Sequence, residues 1–235
     1  MRLLVIGGAG FVGRMVLPHL AGQHELRVFD LTAPPAGSWA HVLGDVTDFA
    51  ALRDAMEGID AVVYMAMNTK QEWGQLRSVD SAFDVNVKGV HFALWAAHER
   101  GVRHAVVTSS MSVYHPRDRY PDESERPDAQ EFYGLTKRLG EEVERNAVRT
   151  WGLTITALRL CFPIPDGDEA PLEPPFKART FTRGRDVAAA ILAGLDHRDG
   201  FSPFAISGDP DQSMVPTERA RSVLGWRPTE EPARR

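Results

Sequence analysis

The chain has 235 residues, 43 % hydrophobic and 25 % charged, with a formal net charge of -5. This is the composition of an ordinary globular chain, long enough for one large domain or a domain with a small appendage, and too acidic for the concentrated basic face that nucleic acid requires. The lone Cys161 excludes an internal disulfide and fits a reducing, cytoplasmic compartment, and no apolar run reaches membrane-spanning length.

The opening "MRLLVIGGAGFVG" lacks a small-residue cleavage site and runs into Arg14, which argues against a signal peptide. Residues 2–7 read as a buried strand, followed by a helix that Pro18 should kink or shorten. Strands are expected at 24–30 and 41–45, then a helix capped by Thr47. A strand at 60–66, one long helix over 78–101 and a strand at 104–110 follow. The segment "EFYGLTKRLGEE" (131–142) opens a helix, and a strand covers 153–160. Residues 161–184 are rich in proline and charge and lack a period. A helix (185–198), a short strand (203–208) and a last helix (217–228) close the chain. Continuous apolar strands alternating with helices predict an α/β fold, a Rossmann-like doubly wound parallel sheet. The expected division is a core over 1–160 and a small substrate-covering lid region over 161–235 that completes the sheet.

Gly7, Gly10 and Gly13 form G-x-x-G-x-x-G between the first strand and the first helix. The first glycine permits a tight turn, the second lets backbone approach a pyrophosphate, and the third lets helix and strand pack closely. The helix start then offers free N–H groups to phosphate. Asp30 ends the second strand, where a carboxylate can accept hydrogen bonds from both hydroxyls of an adenosine ribose and repel a 2′-phosphate, so NAD is preferred over NADP. Arg14 is the nearby rival to that preference. Asp45 could reach the adenine amino group.

On the 131–142 helix and its continuation, Phe132, Leu135, Leu139, Val143 and Ala147 form one stripe, read as the core face. Tyr133 and Lys137 lie one turn apart beside it. An ammonium next to a phenol should lower the tyrosine pKa and make it a usable proton carrier. Ser110 ends the fifth strand, at the edge where open α/β sheets bind ligands, although position alone leaves Ser109 and Ser112 as rivals. The histidines are scattered, so no metal site is expected. No G-x-S-x-G elbow is present, which argues against a serine hydrolase. Lys177, Arg179, Arg183 and Arg185 crowd the lid segment, where guanidinium groups could hold a substrate carboxylate.

Together, "GGAGFVG" (7–13), Asp30, "GDV" (44–46), "YMAM" (64–67), Asn86 in "NVKG", "TSSMSVY" (108–114), "YGLTK" (133–137) and "LGWRP" (224–228) resemble the extended short-chain dehydrogenase/reductase superfamily. The resemblance covers nearly the whole chain. It implies an NAD-dependent oxidoreductase or epimerase that transfers hydride at a sugar or sugar-acid hydroxyl carbon. It selects Ser110 as the catalytic hydroxyl, beside Tyr133 and Lys137, with Met111 and Ser112 near the substrate. It adds Phe11, Val12, Val46, Met65, Ala66 and Asn86 to the cofactor-binding set, and it implies a homodimer paired through the 81–99 helix and the Tyr133 helix. Met111-Ser112 stands where related dehydratases carry Asp-Glu, which argues against dehydration. The compact tail is most similar to that of the uronate dehydrogenases. A nucleotide-sugar epimerase and a non-catalytic dinucleotide-binding or redox-sensing protein are the alternatives.

Overall fold

The computed structural model describes residues 1–68, 75–168 and 180–229. Its centre is β1 (Arg2–Ile6), whose Leu3, Leu4, Val5 and Ile6 are fully buried. A strand covered on both faces needs such an unbroken apolar run. Around it lie β2 (Glu25–Asp30), β3 (Trp39–Leu43), β4 (Ala61–Tyr64), β5 (His104–Ser110), β6 (Thr154–Leu160) and, late in the chain, β9 (Phe201–Ile206). They form one parallel sheet in the order β3-β2-β1-β4-β5-β6-β9, and β7 (Pro163–Ile164) pairs with β8 (Thr182–Arg183) in a separate two-stranded ribbon. The order reverses between β1 and β4, where open sheets of this kind bind ligands.

Helices cover both faces. One apolar cluster gathers α1 (Phe11–Ala21) and α6 (Gly184–Asp196) against β1, β2 and β9, through Val16, Leu20, Val187, Ile191 and Phe204. The other gathers α2 (Phe49–Ala55), α4 (Val90–Glu99) and α5 (Phe132–Trp151), through Leu52, Ala93, Leu94 and Ala147. The last helix, α7 (Glu218–Val223), is followed by Trp226, whose indole N–H donates to the Asp186 carbonyl at 2.9 Å.

Four local expectations need correction. Pro18 does not shorten α1, which continues to Ala21. Both Pro18 and Arg14, whose carbonyl loses its N–H partner, are exposed, so water can serve the freed oxygen. The cap of α2 is Asp48, accepting from the Ala51 N–H at 3.0 Å, while Thr47 instead donates its own N–H and hydroxyl to Asp45. The long helix over 78–101 is three pieces: α3 (Leu76–Phe83), a π-helical turn (Asp84–Gly89) and α4. The buried Tyr64 hydroxyl donates to the Val85 carbonyl at 2.6 Å, an oxygen that would otherwise take the Gly89 N–H, and the helix widens there.

The fourth correction concerns α5. Its most buried face is Gly134, Lys137, Gly140, Glu141, Glu144 and Ala147, whereas Phe132, Leu135, Leu139 and Val143 stay partly exposed. Two features turn the helix this way. Glu141 forms a bidentate pair with the buried Arg159 of β6, at 2.9 and 2.7 Å. Gly134 and Gly140 allow close approach: a Cβ would stand 1.9 Å from the Ser112 carbonyl oxygen and 2.8 Å from that of Asn86.

Candidate active site

A cavity of about 1150 Å³ runs along the C-terminal ends of the strands, from β3 and β2 across β1 and β4 to β5 and β6. That exceeds the usual volume of a small-molecule pocket, about 300–1,000 Å³. At the β2–β3 end it is lined by Asp30, Asp45 and Val46, with Leu31 and Thr32 beside them. Gly7, Gly10, Phe11, Val12, Met65 and Ala66 line its middle. Ser110, Met111, Ser112, Tyr133 and Lys137 line the β5 end.

The glycine turn is built for close backbone approach. Gly7 has φ +84°, and a Cβ there would stand 2.3 Å from the Ala66 nitrogen. Gly13 is outside the lining; its missing Cβ would strike the Gly8 carbonyl oxygen at 2.4 Å, so it serves the packing of α1 on the turn. Asp30 accepts the Ala9 N–H at 2.8 Å and the Thr32 N–H at 3.1 Å, which fixes its carboxylate at the turn. Arg14 Nε donates to the Ala9 carbonyl at 2.7 Å. The N-terminus of α1 carries no side-chain cap, so its first N–H groups face the cavity unclaimed by a capping oxygen. An open turn, an uncapped helix start and a fixed carboxylate at the second strand together suit a dinucleotide.

At the β5 end, Ser110 Oγ accepts the Ser112 N–H at 3.1 Å and is hydrogen-bonded to Tyr133. Ser109 donates to Glu141 at 2.7 Å beneath the sheet edge, and Ser112 presents its backbone to Ser110, so geometry separates the three serines. Glu131 caps α5 through the N–H groups of Tyr133 and Gly134, which sets the tyrosine at the first turn. Burial pushes the Tyr133 phenol up to about 12, against the pull of the Ser110 hydrogen bond, and Glu131 adds to the rise. The expected lowering by Lys137 does not govern the phenol in this structure. Lys137 Nζ donates to the Thr108 carbonyl at 3.0 Å, and burial pushes its pKa down to about 8, against attraction from Glu144 and Glu141. At neutral pH the pair is therefore a phenol beside a mostly charged ammonium.

Two expected site residues lie elsewhere. Asn86 sits in the π-helical turn outside the lining, where its Nδ2 donates to Thr136 Oγ1 at 3.0 Å and ties that turn to α5. The Arg183 guanidinium donates to the carbonyls of Pro165 and Asp168 and is outside the lining as well. Lys177 and Arg179 lie outside the described residues. Sequence reasoning missed Thr108, Tyr120, Phe162 and Phe181, all on the cavity wall. Thr108 could have been found as the i−2 neighbour of Ser110 on the same strand face; the other three stand in irregular segments with no periodic signal.

The profile of the NAD dependent epimerase/dehydratase family matches residues 3–171. The chain is 32 % identical over 144 residues to N-acetyl-alpha-D-glucosaminyl-diphospho-ditrans,octacis-undecaprenol 4-epimerase of Escherichia coli O157:H7, covering 61 % of this chain and 43 % of that protein. It is 30 % identical over 175 residues to uronate dehydrogenase of Pseudomonas putida, covering 70 % and 62 %. The chain thus spans less than two thirds of either of these curated relatives. A crystal structure of a short-chain dehydrogenase/reductase superfamily protein from Agrobacterium tumefaciens with bound NAD superposes with a TM-score of 0.82 at 26 % identity, over 98 % of this chain and 93 % of that one. The glycine turn, the Asp30 carboxylate and the Ser110-Tyr133-Lys137 group lie along one cleft of a matching fold, and the chain belongs to the NAD dependent epimerase/dehydratase family.

Proposed function

We propose that this chain is an NAD-dependent oxidoreductase or epimerase whose reaction moves hydride at a sugar or sugar-acid hydroxyl carbon. The observation that carries the reading is the presence of Ser110, Tyr133 and Lys137 on the wall of the same cavity as the glycine turn and Asp30. Gly7, Gly10, Phe11, Val12, Asp30, Asp45, Val46, Met65 and Ala66 would hold NAD, which supplies a hydride acceptor or donor when bound. The Asp30 carboxylate would take the ribose hydroxyls and disfavour a 2′-phosphate. Arg14, already engaged by the Ala9 carbonyl, is not poised to offset that preference.

Ser110 orients the substrate oxygen toward Tyr133. The Tyr133 phenol gives a proton to a carbonyl oxygen in the reductive direction, and its phenolate takes one from a hydroxyl in the oxidative direction. Lys137 supplies the nearby positive charge that favours the phenolate in the second case. Asn86 supports this group from behind through Thr136, whose hydroxyl in turn donates to the Tyr133 carbonyl at 2.9 Å.

We place the protein in the cytoplasm on its single buried cysteine. We further infer a homodimer paired through α4 and α5. Phe132, Leu135 and Leu139 of α5 are partly exposed, and Trp95 is 38 % exposed on α4. Phe83 and Phe132 meet with ring centroids 6.2 Å apart.

The test is Tyr133→Phe, which keeps the ring and removes the proton-carrying oxygen. Turnover measured by nicotinamide absorbance should fall on the order of 10²-fold or more, with NAD affinity unchanged. Near-normal turnover would sink the assignment.

A further inference from the structure

Two bases and two acids share the dry layer between α5 and the sheet: Lys137, Glu141 and Glu144 of α5 and Arg159 of β6, all buried. Glu141 and Arg159 belong to each other. Arg159 donates to both Glu141 oxygens at 2.9 and 2.7 Å, and Glu141 Oε1 also accepts the Ser109 hydroxyl at 2.7 Å. Arg159 is completed by the Tyr114 hydroxyl at 2.6 Å. Lys137 donates to the Thr108 carbonyl, a neutral partner, and no carboxylate among the described residues forms an ion pair with it.

Glu144 is the acid left over. It is 2 % exposed, and its Oε2 has no hydrogen-bond partner. It stands two turns beyond Lys137 on the same buried face, with Gly140 at the intervening position. Helical side chains lean toward the N-terminus, so Glu144 leans over a residue that has no side chain, on the side of Lys137. The remaining charged groups near this layer are engaged elsewhere. Arg145 lies 3.8 Å from Glu141 and from Glu142, with its guanidinium 4.1 Å from the Phe201 ring of β9. On the π-helical turn, Asp84 and Lys88 pair with each other at 2.6 Å. From α4 the layer receives Ala93 and Ala97, while His91 and His98 stand against Trp151.

A buried acid and a buried ammonium in one layer titrate as a pair. At low pH burial keeps Glu144 neutral, and Lys137 carries the charge. As pH rises, losing the carboxyl proton to solvent leaves an attracting pair, whereas losing the ammonium proton leaves two neutral groups and no attraction. Of the two carboxyls that oppose the effect of burial on Lys137, Glu144 pulls harder.

We propose that Glu144 is a positioning residue acting through Lys137: it yields its proton in place of the ammonium as pH rises, and so keeps Lys137 charged and the Tyr133 phenolate favoured on the alkaline side of neutrality. This rests on the hydride-transfer reading above and adds to it a residue outside the cavity lining.

Wild type, Glu144→Gln and Glu144→Met are compared from pH 6 to 9. Turnover is followed by nicotinamide absorbance with NAD and a panel of sugars, sugar acids and nucleotide-sugars. The chain's lysines are Lys70, Lys88, Lys137 and Lys177, so the Lys137 Nζ can be followed by nitrogen NMR of lysine-labelled protein and identified by its loss in Lys137→Met. The ratio of variant to wild-type turnover should be near one at pH 6, where Glu144 is neutral in the wild type too, and fall about tenfold by pH 9. Lys137 should lose its proton at about tenfold lower hydroxide concentration in both variants. Glu144→Gln should melt no lower than wild type, so the loss of turnover runs against stability and is not a loss of fold. A turnover ratio that is flat with pH, or a Lys137 titration unmoved in both variants, would overturn the proposal. A moved Lys137 titration in a protein that reduces NAD with no member of the panel would uphold the hold of Glu144 on Lys137 and overturn the hydride-transfer reading instead.

Discussion

Glu144 is enclosed between α5 and the sheet, and its Oε2 has no hydrogen-bond partner. Burial first, and then the neighbouring Glu141, hold its pKa well above the ordinary 4.5, while Lys137, Arg145 and Arg159 pull it back. The folded state keeps the proton that the unfolded chain releases from about pH 4.5 upward. Stability from this group is therefore fully present below that pH and falls as pH rises toward the folded pKa. Glu144→Gln keeps the shape and removes the titration. It should stabilise the protein at pH 8 by about 1–3 kcal/mol, with the gain shrinking toward pH 4. Calorimetric melting at both pH values checks this; an equal gain at both would remove protonation from the account. Nothing in the sequence marks Glu141 or Glu144 as buried, because a glutamate on a helix is ordinarily solvated. Arg159, 18 positions beyond Glu141, makes the burial possible, and that pairing is visible only once β6 lies under α5. Ser110 was separated from Ser109 and Ser112 only by the family resemblance, whereas Gly7, Asp30 and Tyr133 could be singled out by place. Each stands at a strand end or a helix start, where backbone geometry restricts which residue can serve.

Helix α5 shows how an apolar stripe can mislead. Periodicity places Phe132, Leu135, Leu139 and Val143 on one side, and that side is the less buried one. Small residues and an ion pair set the packing face, and neither contributes to a hydrophobic pattern. Gly134 is the tightest point, with no room for a Cβ beside the Ser112 carbonyl. Gly134→Ala should therefore push α5 away from the 111–113 turn and move the adjacent Tyr133 off Ser110. A stability loss of about 1–3 kcal/mol is expected in denaturant unfolding, together with lower turnover. An unaffected variant would mean that the turn yields freely. The π-helical turn was illegible for a related reason. Its cause is the Tyr64 hydroxyl on β4, about twenty residues earlier in the chain.

Over the whole molecule, the strand–helix alternation and the parallel sheet were readable from apolar runs alone. On the outward side of α5, Phe132 meets the 37 % exposed Phe83 of α3, and Trp95 of α4 is 38 % exposed. Leu139→Arg places a charge on that side without touching the cavity lining. Light scattering should show the wild type as a dimer and this variant as a monomer that still binds NAD; a wild-type monomer would refute the pairing. The position of β9 has a different consequence, one of timing during synthesis. The strand enters the sheet beside β6, and its Ile206 carbonyl holds the Cys161 N–H where the cavity ends. A growing chain can complete the glycine turn and pair β1 through β6 while β6 remains an open edge, able to recruit foreign strands. The nucleotide end of the cleft therefore forms early in translation. The end that receives substrate acquires its shape only after about residue 206 has cleared the ribosome, so a chain released early would hold cofactor and lack a place to use it.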